Sequence, residues 1–154
     1  MSTPIIEYIV EDIKDAIDAI TIANGFNQTL TAIRPKRSDF KDVTPKDGDV
    51  LIWQADELES AAESFGTEDW TQPFVLEAVV LDSDTSETSI DTRLNQVRAD
   101  IQKKLREDIT RGGYAYDTLL RPSAKFDDGE GFSGIAVLIE VRYRVREADP
   151  YTKA

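Results

Sequence analysis

The stretch that decides the fold is GIAVLIEVRYRVR, residues 134–146. From Ile135 to Val145 an apolar side chain stands at every second position, which is the period of a β-strand with one face in a core. The positions between them begin apolar and end in three arginines: Arg142, Arg144 and Arg146. The pattern predicts a long strand that is covered on both faces only over its first half.

Four shorter stretches upstream also predict strands. They span residues 29–33, 50–53, 74–81 and 114–120. All are rich in apolar and β-branched side chains, which favour strands. Pro35 and Pro122 follow the first and the last of them, and a proline ends a strand because it cannot donate to the ladder. The near-continuous apolar run over 74–81 predicts a strand buried on both faces.

Two segments predict amphipathic helices, at about 4–23 and 86–111. Along both, apolar residues recur at steps of three and four. Pro4 suits the first turn of the first helix. The sequence DTSE at 84–87 has the capping-box pattern of a helix start, and Gly112 with its neighbouring glycine predicts where the second helix ends.

The predicted order of elements is α-β-β-β-α-β-β, which favours an α+β fold. Two one-sided helices and a set of strands predict that both helices pack on one face of a mainly antiparallel mixed sheet. A chain of 154 residues with 40% apolar side chains is expected to form a single domain, residues 1–154, around one core. Residues 56–72 are acidic and lack apolar periodicity, so we expect a mobile loop insertion there.

The residue inventory excludes many functions. The chain has no Cys and no His, which removes thiolate and imidazole catalysis and the usual zinc and iron–sulfur sites. Its apolar runs are far shorter than the ~20 residues that span a bilayer, and no secretory signal pattern is present, so we expect no membrane contact. We predict no cofactor, no metal site and no enzyme activity.

The acidic clusters do not fit a metal site. Asp82, Asp84 and Ser86 match the first positions of a calcium loop. However, Glu87 stands where the loop requires glycine, and Arg93 where it requires a bidentate carboxylate. A carboxylate pair for hydrolysis needs only a suitable separation, and none of the 30 acidic residues is singled out for it. That alternative stays open.

Charge is unevenly distributed along the chain. The net charge is −12, which disfavours direct nucleic-acid recognition because phosphates are repelled. Residues 38–91 carry 15 acidic and 2 basic side chains, so the acidic excess lies in the centre of the chain. This segment either forms a face that binds a positive partner or is a solvated surface that maintains solubility.

Several side chains are candidates for a protein interface. Phe65 and Trp70 lie in the acidic insertion, and exposed aromatic residues are enriched at interface hot spots. Arg142, Arg144 and Arg146 form a basic stripe, which could pair with acidic residues across strands or with an acidic face of another subunit. Both readings of the stripe remain open at this point.

Three stretches of the sequence resemble the phage tail terminator family, also called minor tail or tail-completion proteins. They are IIEYIVEDIKDAI at 5–17, PFVLEAVVLDSD at 73–84 and GIAVLIEVRYRVREADPYTKA at 134–154. In that family a long last strand commonly ends in a tyrosine–arginine pair followed by an Asp-Pro-containing tail. Tyr143-Arg144 and Asp149-Pro150-Tyr151 match this pattern.

The resemblance implies a structural virion protein that is assembled in the host cytoplasm. Members form hexameric rings that cap the tail tube at its head-proximal end, stop its polymerisation and present a surface to the head–tail connector. The implied partners are therefore other copies of the chain, the tail tube protein and the connector protein, with Tyr151 as a further interface candidate. The long acidic insertion leaves open a contractile tail with an additional sheath contact.

Two other functions remain as alternatives. A head-completion or connector protein would also be a structural virion component without catalytic residues. A small carboxylate-dependent hydrolase is the alternative from a different class, because its chemistry needs no residue type that this chain lacks.

Overall fold

The computed structural model describes residues 2–36, 45–59, 66–81, 88–127 and 132–154. In chain order its elements are helix α1 (Ile5–Asp18), a 3₁₀ turn (Ile22–Asn24), strands β1 (Thr31–Ile33), β2 (Asp49–Gln54), β3 (Leu58–Glu59) and β4 (Thr67–Leu81), helix α2 (Ile90–Glu107), and strands β5 (Asp117–Leu120), β6 (Ala124–Asp127), β7 (Phe132–Arg146) and β8 (Asp149–Lys153). The predicted α+β class and the outline of the predicted element order are confirmed.

Strands β4 and β7 form the centre of the sheet. They are antiparallel along their whole length, from Thr67 opposite Arg146 to Leu81 opposite Phe132. Strands β2 and β3 pair with the other edge of β4, and β1 joins β2 in parallel. Strands β5, β6 and β8 each pair antiparallel with β7. Within the described residues, the eight strands therefore form one mixed and mainly antiparallel sheet.

Both helices pack on the same face of this sheet, as predicted. Helix α1 buries Ile5, Ile9, Val10, Ile13 and Ile17. Helix α2 buries Leu94, Val97, Ile101 and Leu105 among its apolar residues. The even-numbered residues Phe74 to Val80 of β4 and the odd-numbered residues Ile135 to Val145 of β7 lie in the same core cluster. Alternation along the strands therefore directs one side of the sheet to the helices and leaves the other side without them.

Both helices are shorter than predicted. Helix α1 ends at Asp18, whose carboxylate accepts from the backbone N–H of Ala32 at 2.8 Å. Helix α2 begins after Ser89, whose side chain accepts from the Thr92 N–H at 3.2 Å. The predicted capping box at 84–87 lies outside the described residues. Among the helices described, none is long and apolar enough to cross a membrane.

Helix α2 ends at Glu107 and not at 111, for a local chemical reason. The Asp108 carboxylate accepts from the backbone N–H groups of Thr110 and Gly112, both at 2.9 Å. Side-chain acceptance of this kind competes with the helical hydrogen bonds and turns the chain out of the helix.

The loop predicted at 56–72 is wrong over part of its length, because the structure has strands there. Residues 58–59 form β3, and β4 begins at Thr67, seven residues before the predicted start at Phe74. The first half of β4 carries polar residues that pair with the arginine end of β7. An apolar period is therefore weak there, and the sequence pattern does not mark this half as a strand. Residues 60–65, including the interface candidate Phe65, lie outside the described residues.

The contact between Phe126 on β6 and Gly134 on β7 gives a testable prediction. These residues are register partners, and a Cβ added to Gly134 would overlap the Phe126 ring. Gly134→Ala is therefore expected to cost about 1–3 kcal/mol of stability by displacing that ring, measured by urea unfolding. In a Phe126→Ala background the same change should cost almost nothing. An equal cost in both backgrounds would show that the ring is not the cause.

Candidate functional site

The face of the sheet opposite to the helices is the candidate site, and we call it the open face. Register and alternation place on it residues from β2, β4, β5, β6 and β7. They include Leu51, Trp53, Asp69, Thr71, Val75, Glu77, Asp117, Leu119, Phe126, Ala136, Leu138, Glu140, Arg142, Arg144 and Arg146. Both helices of the described part of the chain pack on the other side.

The middle of the open face is apolar. Trp53, Val75 and Leu138 are consecutive register partners across β2, β4 and β7. Leu138 is 36% exposed, and Trp53 and Val75 are half-buried. Phe126 on β6 is exposed to the same extent as Leu138. Neighbouring apolar side chains that remain accessible are typical of a surface that binds another protein.

The three arginines lie at one end of the open face, and we call them the arginine stripe. Arg142, Arg144 and Arg146 are opposite Thr71, Asp69 and Thr67 of β4. Only Arg144 forms an ion pair within the described residues, where its Nε donates to Asp69 Oδ1 at 2.6 Å. Of the two alternatives left open by the sequence, pairing across strands is therefore observed for Arg144.

Arg144 is held in place from two sides. The Asp69 side chain is fully buried beneath it, and the guanidinium carbon lies 4.6 Å from the centroid of the Tyr116 ring. The ion pair raises the pKa of Arg144, so its charge is permanent at any ordinary pH. Arg144 itself is 43% exposed, and no described residue accepts from its two Nη atoms. Its outer end is therefore available to a partner.

The other interface candidates lie elsewhere. Trp70 is half-buried on the helix side of β4, opposite Tyr143, and packs against the core. The Tyr143 hydroxyl donates to the Glu57 carboxylate, and burial raises the pKa of Tyr143. Tyr151 is 49% exposed on β8, the edge strand that pairs with the arginine end of β7. The structure therefore separates Trp70 from the arginine stripe and places Tyr151 on the strand next to it.

Many acidic residues of the central segment have internal roles. Asp47 accepts from Arg93 at 2.8 Å, Asp49 from the Lys46 N–H at 2.7 Å, and Glu68 from the Ala148 N–H at 2.9 Å. Together with Asp69 and Glu57, these carboxylates hold strands and turns in place. For these five residues of 38–91, the charge thus stabilises the fold itself.

A different group of acidic side chains faces solvent on α1. The exposed positions of this helix are Tyr8, Glu11, Asp15 and Asp18. They recur at steps of three and four and therefore form one line along the outer side of the helix. We call its acidic members Glu11, Asp15 and Asp18 the acidic stripe. Asp18 also accepts from the Ala32 N–H and lies 3.8 Å from Lys14 Nζ. In the sequence these acids stand between the apolar positions of α1, and no motif marks them as a candidate site.

A small cavity lies between α1 and the end of α2. Its volume is about 280 Å³, and its lining includes Asp12, Asp15, Lys104, Glu107 and Arg111. The Arg111 side chain is 1% exposed and donates to the backbone carbonyls of Leu105 and Asp108. Arg111 therefore satisfies carbonyl groups at the end of the helix. Within the described ranges, no three acidic side chains are grouped so that they could hold a metal ion.

Two glutamates give a prediction about pH and stability. Burial on the open face raises the pKa of Glu77, whereas hydrogen bonds from Arg34 lower the pKa of Glu7. The folded state therefore binds a proton more tightly at Glu77 and more weakly at Glu7 than the unfolded state does. Stability from Glu77 falls as pH rises through its raised pKa, and stability from Glu7 is lost as pH falls through its lowered pKa.

The matched variants Glu77→Gln and Glu7→Gln should consequently behave in opposite ways. At about pH 7, Glu77→Gln is expected to be more stable than the wild type and Glu7→Gln less stable, the latter by at most ~1 kcal/mol because that pair is exposed. Both differences should close toward about pH 3, where carboxylates are protonated. Denaturant unfolding at several pH values measures this. Differences that do not change with pH would contradict the electrostatic explanation.

A scan of the chain against protein-family models gives no match, and a search of curated protein sequences gives none either. The resemblance to tail terminators therefore stays a prediction from the sequence.

Proposed function

We propose that this protein is a structural virion subunit that assembles with copies of itself into a ring and acts as a tail terminator. In this role the ring caps the phage tail tube, ends its polymerisation and forms the joint to the head connector. The observation that carries the proposal is the open face, where the apolar patch around Trp53, Val75 and Leu138 adjoins an outward-facing arginine stripe.

The composition of this face supports self-assembly. Protein interfaces are enriched in tryptophan and arginine, with an apolar centre and a polar rim. Exposed ion pairs contribute only ~0–1 kcal/mol each, so the arginines alone would not hold subunits together. The apolar patch supplies the larger contribution, and the arginines select orientation and partner.

The end of the chain supports the terminator role in particular. The Tyr143-Arg144 pair that carries the family resemblance lies at the end of β7, with Tyr143 in the core and Arg144 on the open face. The Asp-Pro-containing tail forms β8, whose Tyr151 is exposed. The residues that suggested the family thus include two accessible side chains near one corner of the sheet.

Negative-stain electron microscopy of the purified protein tests the assembly. Rings with a central hole are expected, whereas compact monomers would contradict the proposal and favour a hydrolase. Rings should also bind the ends of assembled tail tubes and stop their growth. Rings that bind only a head connector, and leave tube growth unchanged, would favour a head-completion protein.

Reversal of the arginine stripe gives a further prediction. The triple variant Arg142→Glu, Arg144→Glu and Arg146→Glu is made together with Asp69→Asn, so that no buried carboxylate loses its partner. It is expected to give folded monomers, because it places carboxylates where a neighbour meets positive charge. Light scattering measures the mass, and circular dichroism checks the fold. Arg98→Glu, Lys103→Glu and Arg106→Glu on α2 is the control with nearly the same change in net charge, and it should still assemble. Rings of normal mass from the stripe variant would place the stripe outside the interface.

A further inference from the structure

We infer that the arginine stripe of one copy binds the acidic stripe on α1 of the next copy, with Arg144 as the anchor. This inference rests on the proposed function, because it takes self-assembly as given. It adds the identity of the two surfaces that meet: the open face of one subunit and the outer side of α1 in its neighbour.

Arg144 is arranged to receive a carboxylate. Asp69 holds its Nε at 2.6 Å, and the Tyr116 ring supports the plane of the guanidinium at 4.6 Å. These contacts fix the side chain, so less rotational freedom is lost when a partner binds. The two exposed Nη atoms form the fork that pairs with both oxygens of a carboxylate.

The spacing of the two stripes is complementary. Alternate residues of a strand are about 6.6 Å apart, which sets the interval between Arg142, Arg144 and Arg146. Residues three or four apart on a helix are about 5–6 Å apart, which sets the interval between Glu11, Asp15 and Asp18. Three guanidinium groups therefore face three carboxylates at nearly the same intervals, with flexible side chains to absorb the difference.

The partner is a second copy rather than an anionic polymer. With a net charge of −12, the protein repels nucleic acid, anionic lipid and other copies of itself at long range, so only a matched row of opposite charge at short range selects a partner. The same excess means that copies of the chain carry exposed carboxylates, and those of α1 lie in one line. A strand presenting three arginines thus finds its complement on another molecule of the same sequence.

The position of the stripes determines the type of interface. The arginine stripe lies on the open face, and α1 packs on the opposite face of the same sheet. A twofold contact through the arginine stripe alone would bring like charges together. A head-to-tail contact instead pairs each arginine stripe with an acidic stripe, and it leaves one of each free for the next copy until the ring closes.

Charge exchange tests this pairing. The donor variant is Arg142→Glu with Arg146→Glu, which leaves the Arg144–Asp69 pair intact. The acceptor variant is Glu11→Arg with Asp18→Arg, which exchanges the two outer carboxylates and leaves Asp15 opposite Arg144. Each should be folded by circular dichroism and monomeric in sedimentation velocity. A single chain with all four changes should recover the wild-type mass, because the exchanged charges again face each other.

Arg144→Lys tests the anchor, because it keeps the charge and removes the fork. Its dissociation constant for self-association should rise about tenfold, while the control Arg106→Lys on α2 should leave it unchanged.

Different results would contradict the proposed self-assembly and the proposed pairing of the two stripes. A wild-type protein that stays monomeric at all concentrations would overturn the proposed function together with this inference. Wild-type rings accompanied by a folded but monomeric four-change variant would overturn only the pairing, as would normal rings from either two-change variant. Equal dissociation constants for wild type and Arg144→Lys would overturn the role of Arg144 as anchor.

Discussion

Replacement of Ile101 by alanine is expected to lower the free energy of unfolding by about 2–5 kcal/mol, and Ile13→Ala should cost a similar amount. Both side chains have no exposed surface. Ile101 lies on the sheet-facing side of α2 and Ile13 on that of α1, so each change removes packed methyl groups and leaves a cavity in the shared core. Urea unfolding monitored by circular dichroism measures the cost.

A third isoleucine provides the matched control. Ile22 lies in the 3₁₀ turn after α1 and is 65% exposed. Ile22→Ala should therefore change stability by no more than about 0.5 kcal/mol, as for other surface substitutions. If all three variants unfold at the same denaturant concentration, the helices do not pack on the sheet as described.

The elements that could be predicted from the sequence are those with one fully buried face. Helices α1 and α2 and strand β7 each place apolar residues in the core at a regular period, and this period is visible without the fold. Strand β6 has only exposed residues, so no apolar period marks it. Strand β8 contains Pro150 and is held by a hairpin with β7, which is a tertiary constraint.

The polar half of β4 shows the same limit more clearly. Its residues Asp69 and Thr71 are buried because Arg144 and Arg142 lie opposite them on β7. Those partners are more than 70 positions away in sequence, so the local sequence predicts an acidic loop. Strand pairing, and not local propensity, makes this stretch a strand.

The candidate site was predictable only in part. The arginine stripe follows from alternation along β7, whereas its support by Asp69 and Tyr116 depends on which strands are neighbours. The side of the sheet on which Trp70 lies depends on where β4 begins. The apolar pattern predicts that β4 begins only after Trp70, so it assigns this residue to no side of the sheet. The glycine pair after Arg111 predicts that the helix ends there. Nothing in the sequence indicates that the Arg111 side chain folds back to donate to carbonyl groups at the end of α2.

Arg111→Ala is expected to cost about 2–5 kcal/mol, as do other changes that remove most of a fully buried side chain. Its Nη2 donates to the Leu105 carbonyl at 2.6 Å and also to the Asp108 carbonyl. Without this side chain, carbonyl groups at the end of α2 lose their donor, and a large buried volume is left empty. Arg106→Ala in the last turn of α2 is the control, because Arg106 is exposed and should cost less than about 0.5 kcal/mol.

Arg111 could stabilise the protein through its ion pair with Asp12 or through its hydrogen bonds to the carbonyl groups of α2. Substitution of Asp12 distinguishes these two contributions. Its carboxylate lies 3.4 Å from Arg111 Nη1, and burial raises the pKa of Asp12 despite that cation, so desolvation outweighs the attraction between them. If Arg111 stabilises the protein chiefly by capping the carbonyl groups of α2, Asp12→Asn should cost far less than Arg111→Ala. Urea unfolding of both variants decides between the alternatives. Equal losses would instead assign the stabilisation to the ion pair, because either change removes that pair while only Arg111→Ala removes the donor to the helix.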